Sequence, residues 1–195
     1  MLIIAEIGQN HNGDMDIARK LILAAKEKGA DIAKFQLYDV GKIFAPDFEW
    51  YKEAKEAQLT KGNVFDLAEV CAHIGIEFSA SVFDLERFSW TEELGMKRYK
   101  IASRSIYEEY LTNAIASTGK DIIVSLGMYK EKGFPQINTS GKVDYLYCVA
   151  KYPTMPEDLG FLNVDFSRYS GFSDHTIGIT ASLVAISRGA RIIEK

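Results

Sequence analysis

The stretch Gly119-Lys-Asp-Ile-Ile-Val-Ser125 joins the end of a helical pattern to a short apolar strand pattern. The same kind of joint recurs four times, each time with a terminal glycine ahead of an apolar run, at Gly29, Gly75, Gly95 and Gly189. Glycine commonly ends helices because it adopts the left-handed conformation without a steric penalty. Strands that alternate with helices run parallel, since a crossover helix returns the chain to the same end of the sheet. The repeated joint therefore predicts successive βα units.

Eight strand patterns lie near residues 2–7, 31–36, 76–81, 98–102, 121–126, 143–149, 169–174 and 190–194. Eight βα units predict an α/β fold, the closed (β/α)8 TIM barrel, which typically needs about 250 residues. We expect a reduced fifth helix, because the residues between Gly127 and Val143 show little apolar periodicity, and no closing eighth helix, because Lys195 directly follows the last strand pattern. An open doubly wound sheet is the alternative, but no glycine-rich nucleotide fingerprint follows the first strand pattern.

The length and composition predict a single domain over residues 1–195, since 47% of the residues are hydrophobic and can form one buried core. The formal net charge is −4 and no block of like charges occurs, so we expect small-molecule partners and neither nucleic-acid nor membrane binding. No apolar stretch approaches the length of a membrane span, and Glu6 interrupts the apolar N-terminus, so a cytoplasmic location is expected. Cys71 and Cys148 lie among apolar residues and are expected to be buried, reduced thiols.

Polar residues stand near the C-terminal ends of nearly all the predicted strands, where parallel barrels bind their ligands. These residues are Glu6, Lys34, Gln36, Ser79, Ser81, Lys100, Ser103, Ser125, Tyr152, Ser173, His175, Glu194 and Lys195. Lysines supply charge to a phosphate or carboxylate and serine hydroxyls supply directional hydrogen bonds, so Lys34 and Lys100 together with the serines predict an anion site. The alternative for each lysine is an ion pair inside the barrel, with Glu6 or with Glu194.

The stretch Gly171-Phe-Ser-Asp-His-Thr176 leads from a strand pattern into an apolar helical pattern. His175 at this junction could be an acid–base group or a metal ligand, although one histidine does not make a metal site. The alternative is a helix N-cap signal, in which Asp174 or Thr176 caps the next helix and His175 is incidental. Glu6 could be a general base, or it could merely pair with a lysine.

Seven segments resemble, in order, the signature segments of the sialic acid synthase (N-acetylneuraminate synthase) family. They are Ala5-Glu-Ile-Gly-Gln-Asn-His-Asn-Gly13, Lys34-Phe-Gln36, Tyr99-Lys-Ile-Ala-Ser103, Ser125-Leu-Gly-Met128, Tyr152-Pro-Thr154, Gly171-Phe-Ser-Asp-His-Thr176 and Ile193-Glu-Lys195. Any one segment is a weak signal, but seven in the right order at βα spacing form a specific one. The resemblance covers the whole chain.

The resemblance implies a TIM-barrel transferase that condenses phosphoenolpyruvate with an N-acyl hexosamine such as N-acetylmannosamine. Phosphate is released and a nine-carbon 2-keto sugar acid forms, as in carbohydrate and polysaccharide biosynthesis. The implied roles are Lys34 and Ser81 at the pyruvyl carboxylate, Lys100, Ser103, Ser125 and Ser173 at the phosphate, Gln36 and Tyr152 facing the sugar, Glu6 at the reacting carbons, and His175 at a divalent metal, Mn²⁺ or Mg²⁺. Such a metal polarises the sugar aldehyde towards attack by the enol carbon.

The chain departs from the family pattern in ways that leave the function open. The family's second metal histidine would follow Lys195, and its small C-terminal antifreeze-like domain, which reaches the partner's site in a dimer, is not among these residues. Ser105 replaces a usually acidic residue, and Tyr147 and Ala150 replace polar ones. We therefore expect either a piece of a longer chain or a divergent member with an altered acceptor.

Two other functions remain open from the sequence. One is a barrel aldolase or lyase that forms a Schiff base through Lys34 or Lys100. The other is a catalytically silent barrel that binds an anionic metabolite, as the incomplete metal site and Ser105 suggest. A homodimer also remains open.

Overall fold

The computed structural model describes residues 1–195, and its eight parallel strands follow one another in chain order round a closed barrel. The strands are β1 Leu2–Gly8, β2 Ile32–Leu37, β3 Glu77–Val82, β4 Arg98–Ile101, β5 Asp121–Ser125, β6 Val143–Cys148, β7 Gly171–Ser173 and β8 Ile192–Glu194. The predicted fold class is therefore confirmed, and each strand lies within two residues of its predicted bounds.

Seven α-helices accompany the strands. They are α1 Met15–Glu27, α2 Val40–Ile43, α3 Tyr51–Glu56, α4 Lys61–Ile74, α5 Leu85–Glu93, α6 Glu109–Ser117 and α7 Thr180–Ser187. No helix lies between β5 and β6, as predicted, and none follows β8 within these residues. The sequence did not lead us to expect that the segment between β6 and β7 would also lack an α-helix; it holds only two 3-10 turns, Pro156–Asp158 and Phe161–Asn163. No helix is both long enough and apolar enough to cross a bilayer.

The glycine joints that predicted the βα units have the expected backbone conformation. All five glycines have positive φ. Gly75, at φ 73°, is the left-handed cap that ends α4, and its N–H bonds back to the last turn. A residue with a Cβ would be strained in this conformation, which explains why a glycine stands there.

The chain forms two compact units, one of residues 5–97 and one of residues 1–4 with 98–195. In the unit of residues 5–97, Asp14 caps α1 by accepting from the N–H groups of Asp16 and Ile17. The β2–β3 ladder pairs Lys34 with Ser79 and Gln36 with Ser81. Because side chains alternate along a strand, Phe35 faces away from Lys34, and its ring stacks on Phe78. Cys71 is a buried free thiol on α4, as predicted.

In the other unit, the outer faces of β7 and β8 pack against α7. The core of this packing consists of Leu159, Val164, Phe166, Phe172, Ala181, Ala185, Ala190 and Ile193. Phe172 alternates with the site residue Ser173, so one strand supplies an apolar outer face and a polar inner face. Cys148, at the end of β6, is a buried free thiol, also as predicted.

Two tyrosines on β6 fasten the irregular segments that stand in place of helices. Tyr145 Oη donates to the Pro135 carbonyl at 2.6 Å, and Tyr147 Oη donates to the Leu159 carbonyl at 2.5 Å. Phe134 stacks on the Tyr145 ring with centroids 4.7 Å apart. Burial is the main cause that raises the pKa of both tyrosines, so they remain neutral donors. These contacts hold the β5–β6 and β6–β7 connections against the sheet without a helix.

Candidate active site

Four predicted site residues meet within residues 5–97. Lys34 is 3% exposed and forms an ion pair with Glu6. Its Nζ also lies 3.4 Å from Ser81 Oγ, and Gln36 Nε2 donates to Glu6 Oε1 at 2.8 Å. Lys34 and Gln36 share a face because they stand two residues apart on β2. We call Glu6, Lys34, Gln36 and Ser81 the Lys34 group.

Lys34 and Glu6 form the ion pair that, from the sequence, was the alternative to an anion site at Lys34. The lysine and the Gln36 amide hold the Glu6 carboxylate in place. A carboxylate held in this way can accept a proton or orient a hydroxyl group. The cation beside it can attract the carboxylate of a ligand, so the ion pair is compatible with both expected roles.

A second group of polar residues lies on β4, β5, β7 and β8. Lys100 Nζ donates to Ser125 Oγ at 2.7 Å and lies 3.5 Å from Glu194 Oε1. Ser173 Oγ donates to the same Glu194 oxygen at 2.7 Å. All four residues of this Lys100 group are at most 5% exposed. Charges in such dry surroundings are poorly screened, so the group can interact strongly with an anion such as phosphate.

Ser103 approaches the Lys100 group through Cys148, a residue that sequence reasoning did not assign to the site. The Gly127 N–H donates to Ser103 Oγ at 3.0 Å, and Ser103 Oγ lies 3.6 Å from Cys148 Sγ. A Cβ on Gly127 would lie only 2.9 Å from Cys148 Sγ, so the close approach requires glycine. Burial raises the pKa of the Cys148 thiol, while Ser103 and Lys100 act to lower it. Cys148 is therefore a neutral thiol packed beside the Lys100 group.

Tyr152 and His175 form a contact pair at the ends of β6 and β7. Tyr152 Oη lies 3.1 Å from His175 Nε2, and the two ring centroids are 4.2 Å apart. The Thr154 N–H donates to the His175 carbonyl at 2.9 Å, and Thr154 pairs with Thr176 in a parallel bridge. Tyr152 is 75% exposed, so this pair faces solvent, unlike the Lys100 group.

Asp174 does not cap α7, and neither does Thr176, so the N-cap interpretation of this stretch is wrong. The cap residue is Ile179, which makes no side-chain cap bond. Asp174 instead contacts Ser182 on α7 and Lys195, which directly follows β8. Burial would raise the pKa of Asp174, but hydrogen bonds from Ser182 and Thr176 outweigh it and lower the pKa. Asp174 is therefore a buried, ionised anchor that the sequence signal did not reveal.

The donor atoms near His175 do not make up a metal site. Nowhere in the chain do three or more His, Cys, Asp or Glu side chains lie together in a way that could hold a metal ion. His175 Nε2 pairs with Tyr152, and both Asp174 and Glu194 already accept from hydroxyl groups. Zinc sites normally use three or more protein ligands, whereas Mg²⁺ is usually held by one or two carboxylates together with waters and substrate. The residues present therefore do not by themselves make up a Mn²⁺ or Mg²⁺ site, and a metal at His175 stays a prediction.

The residues at which the chain departs from the family pattern are placed as follows. Ser105 is 2% exposed, and its Oγ makes no hydrogen bond. Tyr147 lies on the face of β6 opposite Cys148, where it stacks on Phe172 with centroids 6.0 Å apart. Tyr147 therefore serves packing and faces away from the Lys100 group.

A protein-family model described as the NeuB family matches residues 21–195. The chain belongs to the NeuB family. This confirms the resemblance that the seven sequence segments carry.

The curated relatives of this NeuB chain include named sugar acid synthases. N,N'-diacetyllegionaminic acid synthase of Legionella pneumophila is 32% identical, with 99% of this chain and 62% of the relative aligned. N-acetylneuraminate-9-phosphate synthase of Homo sapiens is 29% identical, with 99% and 60% aligned. Uncharacterized protein MJ1065 of Methanocaldococcus jannaschii is 35% identical, also with 99% and 60% aligned. The chain thus spans about 60% of the length of the curated relatives it matches.

Solved structures share the fold of the NeuB chain over its whole length. The sialic acid synthetase of Leptospira borgpetersenii, in complex with citrate, superposes with a TM-score of 0.90 at 30% identity, covering 100% of this chain and 72% of that one. A truncated 3-deoxy-D-arabino-heptulosonate 7-phosphate synthase of Thermotoga maritima superposes with a TM-score of 0.64 at 14% identity. At that identity the second likeness shows the fold alone.

Proposed function

We propose that the chain carries the barrel of a phosphoenolpyruvate-dependent sugar acid synthase. The reaction joins phosphoenolpyruvate to an N-acyl hexosamine of the N-acetylmannosamine type, consumes water, and yields phosphate and a nine-carbon 2-keto sugar acid. The relatives named as sugar acid synthases support this class of reaction. The observation that carries the proposal is the Lys100 group, in which a buried cation, paired with Glu194, lies among serine hydroxyls.

The phosphate of the substrate is assigned to the Lys100 group. Lys100 supplies the charge, and Ser125 already lies within hydrogen-bond distance of it. Ser173 and Ser103 supply further hydroxyl donors that can rotate towards phosphate oxygens. Fixed donors in a buried site stabilise the charge that develops on phosphate as it departs, without the need to reorder water.

The pyruvyl carboxylate is assigned to Lys34 and Ser81, and the acceptor sugar to Gln36 and Tyr152. Glu6 lies between Lys34 and Gln36, so it is the group best placed to hold or move a proton near the reacting carbons. His175 contacts Tyr152 and is assigned to the sugar aldehyde. No step of this proposal passes through a metal.

The test is phosphate release from phosphoenolpyruvate with a panel of N-acyl hexosamines, with and without Mn²⁺. Acceptor-dependent release supports the synthase. A keto acid that becomes trapped on Lys34 or Lys100 by borohydride would instead indicate a Schiff-base aldolase, because a synthase needs no imine. Binding of phosphoenolpyruvate without turnover under every condition would identify a silent barrel. A homodimer and a cytoplasmic location stay predictions.

A further inference from the structure

Asp174 lies at the centre of a buried network that joins β7, α7 and β8. Its Oδ1 accepts from both the N–H and the Oγ1 of Thr176, each at 2.8 Å. Its Oδ2 accepts from Ser182 Oγ on α7 at 2.6 Å and lies 3.1 Å from Lys195 Nζ, just after β8. Asp174 is 3% exposed, so water competes little for these contacts.

Lys195 belongs to the same network, in which it contacts both Asp174 and Thr176. Its Nζ donates to the Thr176 carbonyl at 2.7 Å in addition to its contact with Asp174. Its backbone N–H donates to the Ile4 carbonyl on β1 at 3.0 Å, which fixes the start of the lysine side chain. The lysine side chain thus extends from the end of β8 to the backbone of Thr176, the residue that follows His175.

The network holds both neighbours of His175 in the chain. Asp174 precedes His175, and Thr176, which follows it, is held through its N–H, hydroxyl and carbonyl groups. The backbone of His175 itself is held by the bond from the Thr154 N–H to its carbonyl. The backbone is thus held on both sides of an imidazole whose Nε2 lies 3.1 Å from Tyr152 Oη.

We propose that Asp174 and Lys195 are positioning residues that set the orientation of the His175 imidazole. They act through the loop backbone and touch no substrate in the proposed reaction. The orienting effect is a property of the folded chain; its effect on turnover rests on the proposed function. A misplacement of about 1 Å at a reacting group can cost about a hundredfold in rate, so a small rotation of His175 would be measurable.

The surroundings of the imidazole are monitored by NMR on chain labelled with ¹⁵N in histidine, at one fixed pH. The chain has three histidines, and His11 and His73 lie outside the network and serve as internal references. Lys195→Met removes the cation from a partly exposed position and should leave the fold intact. We expect the ring nitrogen signals of His175 to shift while those of the two other histidines stay in place, and Lys195→Arg to restore them in part.

A second variant and a control separate positioning from general loss of structure. Asp174→Asn keeps an acceptor for Thr176 but loses the acceptor for Ser182 and Lys195, so it should shift the same His175 signals. Lys142→Met removes an exposed lysine that pairs with Asp144 at 2.9 Å, and it should shift none of them. If both network variants leave the His175 signals unchanged, or shift all three histidines equally, the proposal is wrong.

The kinetic measurement uses the synthase assay on the same variants. We expect kcat to fall by about ten- to a hundredfold for Lys195→Met, with the KM for phosphoenolpyruvate little changed, since the Lys100 group is untouched. An unchanged kcat in a variant whose His175 signals have moved would overturn the effect on turnover. If the unaltered chain has no synthase activity, the NMR result still tests the positioning, so the two failures are distinguishable.

Discussion

Lys100 Nζ lies 3.5 Å from Glu194 Oε1, and both side chains are buried. The cation that is proposed to bind phosphate is therefore already partly neutralised within the protein. A second anion at Lys100 would bring two negative charges close together in dry surroundings, which is unfavourable. Glu194 thus limits the affinity of this group for anions.

Glu194→Gln should tighten anion binding. Gln keeps an oxygen that can accept from Ser173 but removes the competing charge, so we expect the affinity for sulfate to rise by about tenfold, equivalent to about 1.4 kcal/mol. Isothermal titration with sulfate is suitable because this ion does not change its charge near neutral pH. The exposed Glu157→Gln is the matched control. Weaker sulfate binding by the Glu194 variant would contradict the proposed role of the charge.

Lys100→Ala should abolish most of the affinity for phosphoenolpyruvate. The change removes the cation from Ser125 and leaves Glu194 without its partner, so we expect at least a tenfold weaker Kd together with some loss of stability. The control is Lys142→Ala, which removes an exposed lysine of the same unit. Circular dichroism establishes whether the variant is folded. A folded variant with unchanged affinity would show that phosphoenolpyruvate does not bind at Lys100.

Tyr147→Phe should lower stability without affecting the site directly. It removes one partly buried hydrogen bond to the Leu159 carbonyl and keeps the aromatic packing, so the free energy of unfolding should fall by about 1 kcal/mol. Tyr145→Phe, which loses the bond to Pro135, should have a similar effect. Denaturant titration measures both. No change in either variant would mean that these hydroxyls do not fasten the two connections.

Alkaline pH should destabilise the chain through two buried groups. Burial raises the pKa of the Cys71 thiol and that of the Tyr38 hydroxyl to about 12 each. The unfolded chain releases these protons at the lower, ordinary pKa values, so stability is fully present below about pH 9 and falls as pH rises towards 12. Urea titrations at successive pH values should show a falling midpoint. Cys71→Ala should make the fall shallower, and an identical slope in that variant would exclude a contribution from the thiol.

The sequence predicted the fold because its signals are local. Each of the five joint glycines marks the end of a helix, and the apolar run after it marks the start of a strand a few residues later. The loss of the fifth helix was also readable, since residues 127–143 have no helical periodicity. The absence of an α-helix between β6 and β7 could not be predicted. The apolar residues of that segment, such as Leu159 and Phe161, pack on β6 and β7 from 3-10 turns instead of from a helix.

The candidate site was predicted as a set of residues but not as a set of contacts. Lys34, Ser81, Lys100 and Ser125 were identified because each stands near the end of a strand. Which carboxylate each lysine contacts depends on the register of strands that are far apart in the sequence. The ion pairs were therefore only one of two interpretations of the lysines, the other being an anion site. Asp174 resembled a helix cap, since the position at which α7 begins cannot be read from one residue. Cys148 was missed as a site residue because its neighbours in the sequence are apolar, whereas its polar neighbours lie on other strands.

The most direct test of the proposed function is phosphate release from phosphoenolpyruvate by the chain, measured with each N-acyl hexosamine in turn. We expect release that depends on one acceptor and is lost in Lys100→Ala but kept in Lys142→Ala. Acceptor-independent release, or release that survives in a folded Lys100→Ala variant, would contradict a sugar acid synthase that binds phosphate at the Lys100 group.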